Sequence, residues 1–243
     1  MKILRGAGLS ARARPWPHQP DIAHLVTLDQ QLAVPSAVLR AWLGELTALG
    51  YSNVRTGALS PQQRRAYDAL NFTMAQELTL LHLDLRSDAA RTARDRTLRR
   101  AVRMRAARAD ELPALARVDR AAFPSGWGLD AAALSDAAAA TPVSRFRVAT
   151  DSSDNAIGIA VTGRSGSAAF LQRLAVLPEA RRNAVATALV ADAIAWAHRW
   201  RCRTMAVNTQ SDNAAALALY HRVGFGDAEL RLVVHERPLA GVL

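Results

Sequence analysis

The sequence is poor in the residues that cross-link small domains. Cys202 is the only cysteine among 243 residues, so neither an intrachain disulfide nor a cysteine cluster for a metal can form. We interpret this thiol as a small buried apolar residue. The six histidines show no ligand spacing, and we therefore expect no metal.

Long hydrophobic runs are missing as well. No apolar stretch approaches the roughly 20 residues that a membrane-spanning helix needs. The segment from Met1 to Pro20 holds Arg5, Arg12 and Arg14 and three prolines, where a signal peptide would have an apolar block. The sequence thus predicts a cytoplasmic protein outside the membrane. Its 50% hydrophobic and 21% charged residues are enough for a globular core.

Lysine is nearly absent, since Lys2 is the only one, and the net charge of +10 comes from arginine. Many arginines fall between Arg86 and Arg108, interleaved with Asp88 and Asp95. That mixture is typical of a solvated linker or an exposed helix, with a nucleic-acid arm as the alternative. Arginine beside abundant alanine indicates a GC-rich coding bias more than a surface selected for binding, so we expect no nucleic-acid partner. A basic surface also suits an anionic cofactor.

Three zones divide the chain. Residues 1–86 form one unit, residues 87–99 a polar, arginine-rich linker, and residues 100–243 a second unit. In the second unit, strand and helix patterns follow the order β-α-α-β-β-β-α-β-α-β, with the first strand starting at Ala101. This order predicts a mixed α/β layout.

Two helices of the second unit can be placed from the sequence. The longer one carries a stripe of apolar residues at near-helical spacing, Val185, Leu189, Ala193, Trp196 and Trp200. The shorter one is predicted to begin at a cap residue, Ser211 or Asp212, and to end at Gly224. Asn213 and Tyr220 lie about two turns apart on it, so their side chains share one face, roughly 10 Å apart along the axis. A polar group can hold a cofactor arm there while a hydroxyl lies at the reacting end.

A basic loop precedes the longer helix. The strand-like segment at residues 172–178 (QRLAVLP) is followed by Arg181, Arg182 and Asn183, and then by the helix. A strand that passes through a tight basic loop into a helix directs free backbone N–H groups and the positive helix end toward an anion. A phosphate or pyrophosphate is the natural occupant.

These features resemble the core of the GNAT superfamily of N-acetyltransferases. The loop pattern of that family, Gln/Arg-x-x-Gly-x-Gly/Ala, is met by Arg181, Ala184 and Ala186. The helix pattern, Asn-x-x-Ala…Tyr-x-x-x-Gly-Phe, is met in full by Asn213, Ala216, Tyr220, Gly224 and Phe225. The resemblance covers about residues 100–239 and is strongest over residues 170–226.

The resemblance implies an α/β fold of the α+β type, with a mixed, mostly antiparallel sheet flanked by helices. It also implies transfer of an acetyl group from acetyl-CoA to an amine of unknown type, with Tyr220 protonating the departing thiolate. A splayed strand would hold the pantetheine arm, the loop would hold the pyrophosphate, and Asn213 would contact the arm or the adjacent helix. The implied cofactor-binding residues are Leu174, Ala175, Val176, Arg181, Arg182, Asn183, Ala184, Val185, Ala186, Thr187 and Asn213.

The family pattern is incomplete in two places. Family members often carry a glutamate base on the strand before the loop, where this chain has Gln172 and Arg173, so we assign no general base. Ala184 replaces a glycine whose missing side chain lets the backbone approach the phosphates. If that position needs a positive φ, a Cβ costs on the order of 1 kcal/mol. A non-catalytic acyl-CoA-binding or protein-interaction module is therefore the alternative function.

The first unit repeats part of the second. Residues 65–85 parallel residues 218–239, and the matched aromatic pairs are Tyr67 with Tyr220 and Phe72 with Phe225. A duplication is the favoured cause, and chance similarity of two helix–strand units is the alternative. Because the first unit lacks the basic loop, we predict a GNAT-like half-domain without a cofactor site. The sequence is compatible with a homodimer and does not determine the oligomeric state.

Overall fold

The computed structural model describes residues 1–28, 32–97 and 102–239. Within these ranges, no helix has both the length and the apolar character required to cross a membrane. The chain forms two compact units, Met1–Thr79 with the segment from Glu229 onward, and Leu80–Ala228. The described helices and strands are, in chain order, β1 (Lys2–Gly6), β2 (Leu9–Trp16), β3 (Gln19–Thr27), α1 (Ser36–Ala48), β4 (Asn53–Leu59), α2 (Pro61–Asp68), β5 (Thr73–Asp84), α3 (Asp88–Thr97), β6 (Arg103–Ala106), α4 (Leu112–Ala122), α5 (Ala131–Ala139), β7 (Val143–Thr150), β8 (Ala156–Ser165), β9 (Ala168–Val176), α6 (Val185–Arg199), β10 (Thr204–Gln210), α7 (Ala214–Val223) and β11 (Gly226–Pro238).

The first unit is built on strands in the order β1-β2-β3-β4-β11. Strands β1, β2 and β3 are antiparallel neighbours. Strand β4 runs parallel to β3, since α1 provides the crossover that a parallel pair requires. The last strand, β11, pairs antiparallel with β4, with Val233 opposite Leu59 and Pro238 opposite Asn53. The core beneath these strands includes three fully buried side chains of α1, Leu39, Trp42 and Leu46.

The second unit has strands in the order β5-β10-β9-β8-β7-β6. Strands β6 to β9 are antiparallel, and β10 runs parallel to β9 after the α6 crossover. Neighbouring residues of a strand point to opposite faces. On β8, Ile159 packs in a cluster with side chains of α4 and α5, whereas Ala160 packs in one with side chains of α3, α6 and α7. The predicted fold class, a mostly antiparallel sheet flanked by helices, is confirmed, as is the predicted order of elements.

The segment predicted as a linker is largely a helix. Ser87 caps α3, because its Oγ accepts a hydrogen bond of 3.2 Å from the Ala90 N–H. Ala90 and Ala93 lie three residues apart on one face of α3 and are buried in the core that α6 also lines. The second unit therefore spans Leu80–Ala228, where the sequence suggested 100–243. The predicted strand start at Ala101, the linker residues 98 and 99, and residues 240–243 lie outside the described residues.

The internal repeat recurs as a matched corner between a helix and a strand. The two corners are formed by Tyr67, Asn71 and Phe72 and by Tyr220, Gly224 and Phe225. The tyrosine and phenylalanine ring centroids are 5.1 Å apart in the first corner and 5.7 Å apart in the second. In both, the phenylalanine N–H donates to the tyrosine carbonyl, at 3.2 and 3.0 Å. The residue before the phenylalanine is left-handed, with φ of 57° and 110°, which lets the chain leave the helix.

Candidate active site

Strands β9 and β10 separate after a short paired region. Their pairing runs from Thr204 opposite Ala168 to Ala206 opposite Phe170. Beyond that point β9 continues to Val176 and β10 to Gln210. The predicted pantetheine-binding residues Leu174, Ala175 and Val176 all lie in this separated half of β9. They keep their pairing with β8 on the other side, so the backbone edge toward β10 is available to a ligand.

A bulge interrupts β9 just before those residues. The register with β8 shifts so that Arg173 faces Val161 while Leu171 faces Thr162, which leaves Gln172 as the extra residue. The Gln172 Oε1 is enclosed by protein and has no hydrogen-bond partner among the described residues. Gly163 makes room for it, since a Cβ there would lie 2.6 Å from this oxygen. The bulge determines which face of the sheet Arg173 occupies.

The loop after β9 has the backbone shape of an anion site. A 3₁₀ turn at Pro178–Ala180 leads into two left-handed residues, Arg182 and Ala184, with φ of 63° and 61°. Alternation of right- and left-handed residues turns successive N–H groups toward one point. The Ala188 N–H makes the first intrahelical bond of α6, to the Ala184 carbonyl at 2.9 Å, and no side chain caps this helix. Among the described residues, the N–H groups of residues 182–187 have no acceptor and can therefore donate to an anion.

The other predicted loop residues divide between solvent and core. Arg182 and Asn183 are exposed, and Val185 is buried in the core of the second unit. Ala186 and Thr187 are half-buried in the first turn of α6. Arg181 points away from the helix start, since its Nη2 donates to the Ala122 carbonyl at 2.8 Å. Arg181 thus ties the loop to the end of α4.

Asn213 is the N-cap of α7. Its side-chain oxygen accepts a 3.1 Å hydrogen bond from the Ala216 N–H. The sequence predicted Ser211 or Asp212 as the cap, and that prediction was wrong, because the chain enters the helix only after a turn through both. Capping uses the Asn213 oxygen and leaves its amide N–H₂ for other contacts.

Tyr220 is nearly enclosed, with 4% of its surface exposed. Its hydroxyl has no hydrogen-bond partner among the described residues, although an ordinary buried tyrosine finds one. Burial raises the pKa of Tyr220 well above 10, and the positive charge of Arg173 acts in the opposite direction to a smaller extent. Tyr220 therefore stays protonated at neutral pH, and it lies close enough to Arg173 for the charge of that residue to affect its pKa.

A buried ion pair, which sequence reasoning missed, lies behind that arginine. Asp119 of α4 is 0% exposed, and Arg173 donates to both of its oxygens at 2.7 Å. The same carboxylate accepts a 2.6 Å bond from the Leu129 N–H. The sequence held one signal of this pair, the position of Asp119. Asp119 follows Val118 and lies four residues after Leu115, so its carboxylate lies on the apolar face of α4 and requires a buried partner.

Arg173 also holds the loop between α4 and α5. Its guanidinium lies 3.5 Å from the centroid of the Phe123 ring, and its Nη2 donates to the Trp127 carbonyl at 2.9 Å. Asp130 ends this loop by capping α5 with a 2.7 Å bond from the Ala133 N–H. The loop at residues 123–129 is thus fastened to β9 at the point where β9 separates from β10.

Comparisons with known proteins show sequence similarity to acetyltransferases. Residues 112–225 match the family model "Acetyltransferase (GNAT) family". Aminoglycoside N(6')-acetyltransferases type 1 of Acinetobacter baumannii and Acinetobacter haemolyticus are 38% identical over 61 residues and 37% over 60. Each match covers 25% of this chain and 42% or 41% of the relative, so the chain spans less than half the length of these curated relatives.

Solved structures resemble the chain over nearly its whole length. The tandem GNAT protein from the clavulanic acid biosynthesis pathway superposes with a TM-score of 0.66 at 14% identity, over 97% of this chain and 81% of that one. A GCN5-related N-acetyltransferase from Kribbella flavida gives a TM-score of 0.60 at 13% identity, over 98% and 89%. At such identities the likeness concerns the fold alone. Residues 112–225 are thus similar to the GNAT acetyltransferase family, within a chain that has the fold of tandem GNAT proteins.

Proposed function

We propose that the chain transfers the acetyl group of acetyl-CoA to an amine by direct attack, with Tyr220 as the general acid. One observation carries this proposal: the separated half of β9 leads, through one 3₁₀ turn, into a loop with two left-handed residues. Among the described residues, the N–H groups of residues 182–187 have no hydrogen-bond acceptor. Backbone of Leu174 to Val176 would hold the pantetheine arm, and backbone N–H groups of residues 182–187 would hold the pyrophosphate. Tyr220 would then lie at the thioester end.

The chemistry requires three contributions from the protein. As the amine attacks the thioester carbonyl, a C–N bond forms and negative charge develops on the carbonyl oxygen, which unused N–H groups of β9 can stabilise. The C–S bond then breaks, and the Tyr220 hydroxyl donates its proton to the leaving thiolate. Burial raises the pKa of Tyr220, and the same dry surroundings make the thiolate a stronger base, which keeps the two groups matched.

The proton of the amine leaves by another path. Asp119 is the nearest buried carboxylate to Arg173, and its oxygens already accept bonds from that arginine and from the Leu129 N–H. A carboxylate so occupied is a poor base. We propose that the amine binds as the free base or loses its proton to water.

The acceptor belongs to the amines, and the names of the curated relatives make aminoglycosides the first class to test. The net charge of +10 disfavours a polycationic acceptor. The acceptor screen therefore also includes neutral and anionic primary amines.

The first unit has a different role in this proposal. Helix α1 begins at Ser36 directly after the extended residue Pro35. In the described stretch from Leu32 to Ser36, no residue has a positive φ. We propose that this half-domain binds no acyl-CoA, because its sequence has no arginine-rich loop before the helix, and that it serves in packing or in partner binding.

Calorimetric titration of acetyl-CoA into the full chain tests the loop. We expect saturable binding that weakens at least tenfold in Arg182→Glu. Arg5→Glu, an exposed residue of β1 in the first unit, changes the net charge equally and should bind as the wild type does. Absence of binding in the wild type would overturn the proposal.

Thiol release from acetyl-CoA in the presence of the amine panel tests the reaction. Amine-dependent release supports transfer. The alternative, a non-catalytic acyl-CoA-binding module, would be favoured if the chain binds acetyl-CoA but releases no thiol with any amine, and if Tyr220→Phe binds acetyl-CoA equally well. The bulged strand carries Gln172 and Arg173 where a base is common in the family, which is the observation that keeps this alternative open.

A further inference from the structure

A cavity of the second unit lies away from the candidate active site. It has a volume of about 520 Å³ and is lined by Arg86, Arg91 and Arg94 near α3 and by His198 and Arg201 at the end of α6. Buried Leu85 and Cys202 complete the lining. Cavities of this size typically hold small organic ligands.

The lining is strongly cationic. Its four guanidinium groups are only partly compensated: Arg91 pairs with Asp88, and Arg94 lies 3.7 Å from Asp95. Arg86 and Arg201 have no carboxylate partner among the described residues. Two uncompensated arginines facing one space repel each other, and an anion between them would remove that cost.

The end of α6 does not cancel this charge. A helix C-terminus presents carbonyl groups that repel anions. Here the terminal carbonyls are occupied, since the N–H groups of Trp200, Arg201 and Cys202 donate to Trp196, His198 and Ala197 at 3.2, 2.9 and 3.1 Å. Arg201 has a left-handed backbone, with φ of 56°, which lets the chain turn back so that these N–H groups reach the carbonyls.

The cavity is distinct from the proposed pyrophosphate loop. The loop lies at the start of α6, and the cavity lies at its end. The 15 residues of α6 separate the two by roughly 22 Å at 1.5 Å per residue. A pyrophosphate at the loop therefore cannot also neutralise Arg86 and Arg201.

We propose that this cavity is a second anion site, which binds a small phosphorylated molecule with its phosphates between Arg86 and Arg201. Planar guanidinium groups bind phosphate oxygens bidentately. The apolar floor formed by Leu85 and Cys202 accepts the non-phosphate part of the ligand. A nucleic-acid backbone is the less suitable occupant, because the charge surrounds one cavity and Asp88 and Asp95 interrupt it along α3.

The test is calorimetric titration of inorganic pyrophosphate into the full chain and three variants. The double variant Arg86→Ala/Arg201→Asn removes the two uncompensated charges; asparagine tolerates the left-handed backbone of position 201. Both side chains are exposed, and the bond from Arg91 to the Arg86 carbonyl remains. Arg182→Glu reports on the loop at the other end of α6, and Arg5→Glu controls for charge.

We expect saturable binding of pyrophosphate at submillimolar concentration in the wild type. The double variant should lose at least tenfold in affinity, whereas Arg182→Glu and Arg5→Glu should each retain binding at this site. Absence of binding in the wild type overturns the proposal. Equal binding by the double variant also overturns it when both proteins carry Arg182→Glu, so that the loop does not contribute, and have the same melting temperature. A parallel titration with adenosine diphosphate should show tighter binding than pyrophosphate. A single-stranded oligonucleotide is titrated as well. If it binds more tightly than both and its affinity falls equally in the double variant, the ligand of this site is nucleic acid and the proposal of a small molecule is overturned.

Discussion

Asp119 and Arg173 form a bidentate ion pair, with Nε to Oδ2 and Nη2 to Oδ1 both at 2.7 Å. The pair joins α4 to the bulged strand β9, and through the Trp127 carbonyl and the Leu129 N–H it also holds the intervening loop. The attachment of the loop between α4 and α5 to β9 therefore depends on one buried carboxylate.

Replacement of Asp119 by alanine should destabilise the second unit by about 1–3 kcal/mol, because it removes the acceptor of the partly buried Arg173 guanidinium and of the Leu129 N–H. Equilibrium unfolding in urea measures this loss. In the double variant Asp119→Leu/Arg173→Met most of the stability should return, since both buried charges are gone. The remaining deficit reflects the Leu129 N–H, which loses its acceptor. If the double variant were as unstable as the single one, the pair would not be the source of the cost.

Replacement of Tyr220 by phenylalanine should lower turnover by a factor on the order of 10²–10⁴ and leave the affinity for acetyl-CoA unchanged, because only the proton donor is removed. Stability should change little, since the hydroxyl has no hydrogen-bond partner among the described residues. The first unit offers a matched control: Tyr67 occupies the equivalent corner, also buried against a phenylalanine. Tyr67→Phe should retain full turnover. A Tyr220→Phe enzyme with undiminished turnover would exclude this residue as the acid.

Replacement of Ala184 by glycine should tighten acetyl-CoA binding several-fold, because the backbone can approach the phosphates more closely without a Cβ. Stability should rise by about 0–1.5 kcal/mol. Relief of left-handed strain at φ 61° contributes on the order of 1–2 kcal/mol, and the extra freedom of glycine in the unfolded chain offsets about 0.5–1 kcal/mol.

Ala7→Gly is the control for this change. Ala7 lies between β1 and β2 with φ of 47°, so its replacement should alter stability in the same direction without affecting acetyl-CoA affinity. A wild type that does not bind, with binding restored in Ala184→Gly, would identify a decayed loop. Weaker binding in Ala184→Gly would contradict the proposed pyrophosphate contact.

His24 should make the first unit sensitive to acid. Burial of its ring, followed by the charges of Arg14, Arg12 and Arg55, lowers the pKa of His24 from 6.5 to about 3. Because the unfolded chain binds this proton and the folded chain does not, stability falls as the pH drops from 6.5 toward 3. His24→Gln should therefore lose less stability between pH 7 and pH 4.5, by on the order of 1–3 kcal/mol. Urea unfolding at both pH values measures the difference, and parallel losses in the two proteins would contradict it.

Several features of the site follow from the sequence alone. The spacing of Asn213, Tyr220 and Gly224 fixed two turns of helix and its end, because helical geometry and the left-handed freedom of glycine are local properties. The basic loop before α6 was predictable for the same reason, since a strand, a tight turn and an apolar stripe are each encoded within a few residues. The repeat between the two units could also be read directly from aligned aromatic residues.

Tertiary structure alone determined the rest. The residues around Asp119 and Arg173 do not predict that the two side chains meet, because they are 54 residues apart in the sequence. The bulge at Gln172 determines where the arginine lies. The segment 88–97 appeared as a polar linker because three arginines and two aspartates lie among its alanines, and only packing against α6 shows that Ala90 and Ala93 belong to the core. The division of the chain likewise depends on β11, whose last residues pair with β4. Propensity and spacing specify short elements, whereas long-range strand pairing and buried charge are decided by which surfaces the folded chain brings together.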